Sequence, residues 1–256
     1  MLKVRVIPTL LMKNVGLVKG VRFNSWRRVD TVLPAIKVYN MREVDELIVL
    51  DISATREGRD LDYESVSEFS GECFVPLTVG GGIKSVIDIR KALLAGADKV
   101  CINSAAYENP KLITEASEKF GSQCIVGSID FMEESPGHYV CYANSGSKKI
   151  DVDPVSWAKE LERLGAGELI VTSIDRDGTM TGYDLTILKA ISDSVKIPVI
   201  ASGGAGSYGD MLSAIREGHS SAVAAASIFH FTEQTPLEAK KFLASNGVPV
   251  RKFRIL

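Results

Sequence analysis

Short runs of Val, Ile and Leu alternate along the chain with longer stretches whose apolar residues recur every three or four positions. The short runs fall at 4–10, 46–52, 74–80, 98–103, 123–130, 168–174, 197–202 and 221–226. They are nearly continuous in apolar character, as expected of parallel strands covered on both faces. The longer stretches, near 31–43, 61–70, 84–95, 110–120, 154–165, 184–194, 207–217 and 235–245, read as helices with one apolar face. Pro34 suits a first helical turn, and Asp153-Pro154 reads as an N-cap followed by proline at the first helical position. Eight strand-then-helix units in 256 residues predict one α/β domain, a TIM-type (β/α)8 barrel. An open doubly wound sheet is the alternative, but no Gly-x-Gly-x-x-Gly follows the first strand.

The pattern also repeats. "VPLTVGGGI" (75–83) matches "IPVIASGGAG" (197–206), "LIVLDIS" (47–53) matches "LIVTSIDRDG" (169–178), and "ADKVCINSAA" (97–106) matches "SSAVAAASIF" (220–229). Asp51 and Asp175 lie 124 positions apart, as do Asn103 and Ser227, while Gly81 and Gly203 lie 122 apart. A period of nearly half the chain is too long for a solenoid. It predicts a single barrel over 1–256 built from two half-barrels, about 1–122 and 123–256.

Each half carries a glycine-rich turn after its third strand and a short polar stretch after its fourth: Asn103-Ser104 in one, Ser227 in the other. Glycines let backbone N–H groups approach an anion, and a helix start beside them adds positive dipole. Loops after strands seven and eight of such barrels often hold phosphate. The repeat therefore predicts two phosphate cradles on opposite sides of one mouth, suited to a small molecule with a phosphate at each end.

Composition narrows the class. The chain is 45% hydrophobic and 24% charged, with a net charge of −2. Nothing in that balance points to nucleic acid or an anionic membrane. No apolar run approaches the roughly 18 residues needed to cross a bilayer. The opening MLKVRVIP lacks the features of a signal peptide, so a cytoplasmic protein is expected. Cys73, Cys101, Cys124 and Cys141 are scattered and read as free thiols of a reducing compartment. His138, His219 and His230 show no ligand spacing, and neither a metal nor a cofactor is called for.

GGGI (80–83), "ADKVCINSAA", "FGSQCIVGSID" (120–130), "TSIDRDGT" (172–179), "ASGGAG" (201–206) and "AAASIFHF" (224–231) together resemble the cyclase subunit of imidazole glycerol phosphate synthase. The resemblance covers essentially the whole chain. "TSIDRDGT" followed by "GYD" (182–184) fits this subunit better than its sister barrel, the phosphoribosyl-formimino isomerase. The resemblance implies a barrel that works with a separate glutaminase. Ammonia from that partner crosses the barrel core and meets a bisphosphate substrate at the C-terminal face.

Carried over by position, it implies phosphate contacts from Gly82, Asn103 and Ser104 in one half. In the other half it implies Gly178, Gly203, Gly204 and Ser227, with Asp177 beside them. Lys19, in the long first loop, looks like the family's mobile-loop lysine, and Asp130 matches one of two catalytic aspartates. The other aspartate has no counterpart. The family's first strand ends in a Cys-Leu-Asp-Val type of run, whereas here Thr9 holds the cysteine's place and Leu11 the aspartate's. Two carboxylates in different environments can divide proton donation from proton removal; leucine can do neither.

The strand starts carry charges at Arg5, Glu46, Lys99 and Glu168. On periodicity alone these would plug the base of the barrel. The resemblance implies instead a salt-bridge ring that gates ammonia. This chain shows no glutaminase nucleophile motif, so a heterodimer with a separate glutaminase is expected.

Three readings stay open. One is a diverged paralogue, resembling barrels found with surface-polysaccharide genes whose first strand is also of the I-P-x-L-L-x-K type. There the ammonia would go to an acetamidino group on a sugar, with a third, sugar-modifying enzyme as partner. Another is an ordinary subunit of histidine synthesis, with Thr9, Asp51 or Asp177 standing in for the missing acid. The last is a non-catalytic ammonia conduit. Of the remaining segments, "HYVCYANSGSKKIDVD" (138–153) alternates like a hairpin but is expected to be a solvated loop rather than a lid. "VRFNSWRRVD" (21–30) suits either closure over an anion or a loop pinned by Trp26. The tail 248–256 is expected to strap the barrel base where a glutaminase would dock.

Overall fold

The computed structural model describes residues 3–14 and 16–251. Eight parallel strands close into a barrel: β1 (Arg5–Lys13), β4 (Leu47–Asp51), β5 (Leu77–Gly80), β6 (Lys99–Ile102), β7 (Ile125–Ser135), β10 (Glu168–Ser173), β11 (Val199–Ser202) and β12 (Ala222–Ala225). Pairing of β7 with β10 and of β12 with β1 removes every free edge, which rules out the open sheet. Helices α1 (Val32–Met41), α2 (Tyr63–Glu72), α3 (Val86–Leu94), α5 (Lys111–Phe120), α6 (Pro154–Leu164), α7 (Leu185–Ser192), α8 (Tyr208–Arg216) and α10 (Pro236–Ser245) surround it. Their starts are set by side-chain caps: Asp153 Oδ2 accepts from Ser156 N–H at 2.8 Å, with Pro154 next in the chain, and Ser207 and Asp210 form a capping box.

Four further strands and two short helices decorate the C-terminal mouth. β2 (Gly16–Val21) and β3 (Asn24–Asp30) form a hairpin on the extended end of β1. β8 (His138–Ala143) and β9 (Lys148–Ile150) form a second hairpin on the extended end of β7. The first segment thus reads as a hairpin rather than a long loop, and 138–153 is not a solvated loop. Asn144 and Ser145 at its tip bind back across the mouth. Ser145 Oγ donates to the Ile52 carbonyl at 2.8 Å, and Arg56 donates to the carbonyls of Asn144 and Ser145. Helices α4 (Ser104–Glu108) and α9 (Ser227–Phe231) begin directly after β6 and β12.

Side chains alternate along each barrel strand. Outward residues pack under the helices. Inward residues Ile7, Ile48, Cys101, Val126, Ile170, Ile200, Ala222 and Ala224 fill the bore as a separate apolar cluster. At the base, Val4 N–H donates to the Pro249 carbonyl at 2.7 Å, Val4 pairs with Val250, and Arg251 Nη1 reaches the Asp45 carbonyl. The expected strap is therefore present over 248–251, while 252–256 lies outside the described residues. Beneath it, Lys240 Nζ and Asp45 Oδ1 form a fully buried pair at 2.8 Å, and Asp45 Oδ2 also accepts the Val6 N–H.

Register refines the internal repeat. Leu47 pairs with Leu77 and Leu169 with Val199, an offset of 122 that sets Asp51 opposite Ser173 rather than Asp175. Val79 pairs with Val100 and Ala201 with Val223, which makes Ser104 and Ser227 the equivalent first residues of α4 and α9. The expected equivalences of Asp51 with Asp175 and of Asn103 with Ser227 are corrected accordingly. The turns after β4 and β10 run the same length before α2 and α7, as do those after β6 and β12 before α4 and α9, so the paired letters simply occupy different places within equivalent turns.

Candidate active site

All eight barrel strands, or the turns just after them, end around one cavity of about 330 Å³ at the C-terminal face. Asp130 rises into it from β7. Burial, reinforced by nearby Asp177, pushes its carboxyl up to about 7, although hydrogen bonds from Thr172 and Ser128 oppose the shift. Such a group exchanges protons near neutrality, as acid–base catalysis requires. Asn103 Nδ2 donates to Asp130 Oδ2 at 3.3 Å and to the carbonyls of Ser128 and Tyr142. Asn103 thus orients the carboxylate and ties it to the second hairpin, while its Oδ1 accepts from Ser104 Oγ at 3.3 Å.

Across the cavity, Lys19 Nζ lies 2.7 Å from each carboxylate oxygen of Asp177. Both side chains are buried, with residue exposures of 2% and 8%. Burial raises the Asp177 carboxyl above its usual range even though Lys19 draws it back. Lys19 is not on a free loop, as the resemblance implied. It sits in β2, and the hairpin is pressed on the turn after β10: a Cβ at Gly178 would stand 2.2 Å from the Gly20 carbonyl oxygen. Gly178, at φ 76°, is required there by both conformation and space.

The two glycine turns line the same cavity. Gly82 N–H donates to Thr55 Oγ1 at 3.1 Å, while Ser104 Oγ accepts from Asn144 N–H at 3.0 Å. On the other side, Gly203 and Gly204 adopt φ of 83° and 117°, and Ser227 opens α9 beside them. The structure therefore brings Lys19, Gly82, Asn103, Ser104, Asp130, Asp177, Gly178, Gly203, Gly204 and Ser227 to one wall system. Asp51 also faces the cavity but is committed. Its Oδ1 accepts from Ser53 N–H, Ser53 Oγ and Ala54 N–H, and its Oδ2 lies 3.3 Å from Arg59. Thr9 and Leu11 line the cavity from β1, and the Thr9 hydroxyl is buried without a partner among the described residues.

At the far end of the bore, Arg5, Glu46, Lys99 and Glu168 close a ring. Arg5 Nη1 meets Glu46 at 2.8 Å and Arg5 Nη2 meets Glu168; Lys99 meets Glu46 at 3.0 Å and Glu168 at 2.9 Å. Burial disfavours the Glu46 charge, but Arg5 and Lys99 outweigh it and hold the carboxyl below its usual value. Just above the ring Cys101 is pushed up to about 12 by burial, and then by Asp130, so it remains a neutral thiol.

Phe23, Thr55, Lys84, Asn144 and Ser145 line the cavity without having been picked out in the sequence. "NSGS" at 144–147 carries a turn signal that could have located the second hairpin tip. The first tip could not be read, because Arg22-Phe23 occupies a tight turn that normally takes Asn or Gly.

Fold and mouth together define a (β/α)8 barrel with a candidate acid–base site at its C-terminal face. A family model described as Histidine biosynthesis protein matches residues 5–235. The chain belongs to that family, whose members are barrel enzymes of the synthase and cyclase type. Among the described residues no helix is long and apolar enough to cross a membrane, and no His, Cys, Asp and Glu gather as a metal-holding group.

Proposed function

We propose that the chain is the ammonia-accepting barrel of a two-subunit glutamine amidotransferase, acting on a phosphorylated small molecule at its mouth. The observation that carries this is one axis through the barrel. A closed ring of Arg5, Glu46, Lys99 and Glu168 stands at its base, an apolar bore follows, and Asp130 waits near neutrality at the top. Ammonia that forms a C–N bond must shed a proton, and a carboxylate titrating near 7 is suited to receive it. The ring would gate ammonia from a separate glutaminase docked on the base. The two glycine turns, with Ser104 and Ser227, would hold the acceptor's phosphates.

The missing carboxylate at Leu11 favours an acceptor other than the histidine-pathway bisphosphate, such as a sugar destined for amidination with a third enzyme downstream. The second reading is an ordinary imidazole glycerol phosphate synthase subunit, favoured by two cradles on a single cavity. A pure conduit is disfavoured, since it gives no account of the raised Asp130 carboxyl. The test is glutamine hydrolysis by the cognate glutaminase with and without the chain. Marked stimulation is expected; hydrolysis indifferent to the chain would refute the partnership.

A further inference from the structure

Beside the mouth lies a second cavity of about 430 Å³, reached past the two hairpin tips. Phe23, Trp26 and Ser145 line both spaces and form the partition between them. Three cations face the outer space: Lys13, Arg22 and Arg56. The Lys13 side chain makes no hydrogen bond or ion pair among the described residues, although its backbone pairs with Gly16. Arg22 donates Nε to the Asp175 carbonyl at 3.1 Å, and Arg56 donates to the carbonyls of Asn144 and Ser145. These bonds aim the guanidinium groups without neutralising them. The carboxylate of Asp175 is itself engaged with Glu133 N–H.

The backbone that holds this arrangement is unusual. Arg22, Phe23, Asn144 and Ser145 all have φ between 51° and 54°, a region that non-glycine residues occupy at a cost. The two tips touch, since a Cβ on Gly146 would stand 2.9 Å from Phe23 Cδ2. Trp26 is braced from behind, its indole against Gly20. Three like charges gathered around aromatic faces repel one another until an anion sits among them. A flat ring can stack on Trp26 or Phe23 while its anionic substituent meets the cations.

We propose that this annex is a third anion subsite, taking a phosphate carried on a flat ring, and that the substrate of the mouth reaches into it past Phe23 and Trp26. This extends the reading of the mouth as a site for phosphorylated substrate. It implies an acceptor longer than a molecule that only spans the two glycine turns.

The test is a titration of the intact chain with phenyl phosphate, followed by tryptophan fluorescence, with inorganic phosphate as the probe of the cradles. A saturable change is expected that disappears in Trp26→Phe, since Trp157 is buried. Lys13→Gln with Arg22→Gln should weaken phenyl phosphate binding about tenfold, a typical loss for charge-assisted contacts. Ser104→Ala with Ser227→Ala should weaken inorganic phosphate while the Trp26-dependent fluorescence change with phenyl phosphate, which reads the annex, keeps its midpoint. Because Arg22 sits in a strained turn, Lys13→Gln alone must also weaken the ring-bearing probe. Unchanged affinity in Lys13→Gln, or loss of phenyl phosphate binding in the serine variant, would overturn the annex. Binding needs no turnover, so this can fail while stimulation of the glutaminase succeeds, and the reverse.

Discussion

Leu11 and Asp130 line the same cavity from diametrically opposed strands, with three barrel strands between β1 and β7 in either direction. Burial pushes the Asp130 carboxyl up to about 7, and its opposite number is a buried hydrocarbon with no proton to give. Placing a carboxylate at that position tests what the pairing means. Leu11→Asp is expected to confer measurable ammonium-dependent turnover of the histidine-pathway bisphosphate, whereas Leu11→Asn is not. Equal inactivity of both variants, with ligand still bound, would show that the opposed carboxylate is not the missing element.

Replacing Asp130 with Asn removes a cavity carboxyl that burial pushes up to about 7. Ammonia-dependent turnover of the true acceptor should fall by about 10²–10⁴, the usual contribution of a positioned acid–base group. With rates expressed per free ammonia, the intact chain should lose activity as pH falls through about 7, where Asp130 takes up its proton. The variant should lack that limb. The same substitution should raise thermal stability at pH 8. A carboxyl whose folded value lies above its unfolded one favours folding at low pH and loses that contribution as pH rises through about 7.

The basal ring makes a separable prediction. Glu46→Gln weakens the ring at both Arg5 and Lys99. Turnover driven by glutamine should fall relative to turnover driven by ammonium salts, because only the first route depends on a tight inlet. Acid stability should also change. The Glu46 carboxyl is held below its unfolded value, so its contribution is present above about pH 4.3 and is lost as pH falls further. The variant should show a shallower acid-unfolding slope in that window. An unchanged ratio of the two turnover routes would leave the ring a structural plug.

Lys240 and Asp45 present a different kind of site, a buried pair far from the mouth. Lys240→Met strands the Asp45 charge, and a loss of about 3–5 kcal/mol is expected in denaturant unfolding. The double change Asp45→Asn with Lys240→Met should recover most of it. A single variant as stable as the parent would mean that Asp45 finds another partner.

Much of the barrel was legible because strands buried on both faces read as unbroken apolar runs, and caps such as Asp153 mark helix starts. The hairpins were harder. β1 and β7 continue past the barrel rim, to Lys13 and Ser135, where nothing in period or composition marks the change from barrel to flap. The glycine turns and Asp130 announced the mouth, since each residue type has few other uses at a strand end. The role of Asn103 was hidden by sequence likeness to Ser227, and only register showed Ser104 to be its equivalent. Lys19 looked free because β2, Gly-Leu-Val-Lys-Gly-Val, is short and broken by two glycines, which read as loop punctuation although the strand packs back on Asp177.

The most direct measurement is a steady-state assay of the purified chain with the histidine-pathway bisphosphate and a large excess of ammonium at mildly alkaline pH. The glutaminase is left out, so its absence cannot explain failure. With the proposed phosphate cradles at the two glycine turns and Leu11 opposite Asp130, the chain should bind the bisphosphate and not turn it over. Clear turnover would contradict the account and make the chain an ordinary cyclase subunit of histidine synthesis.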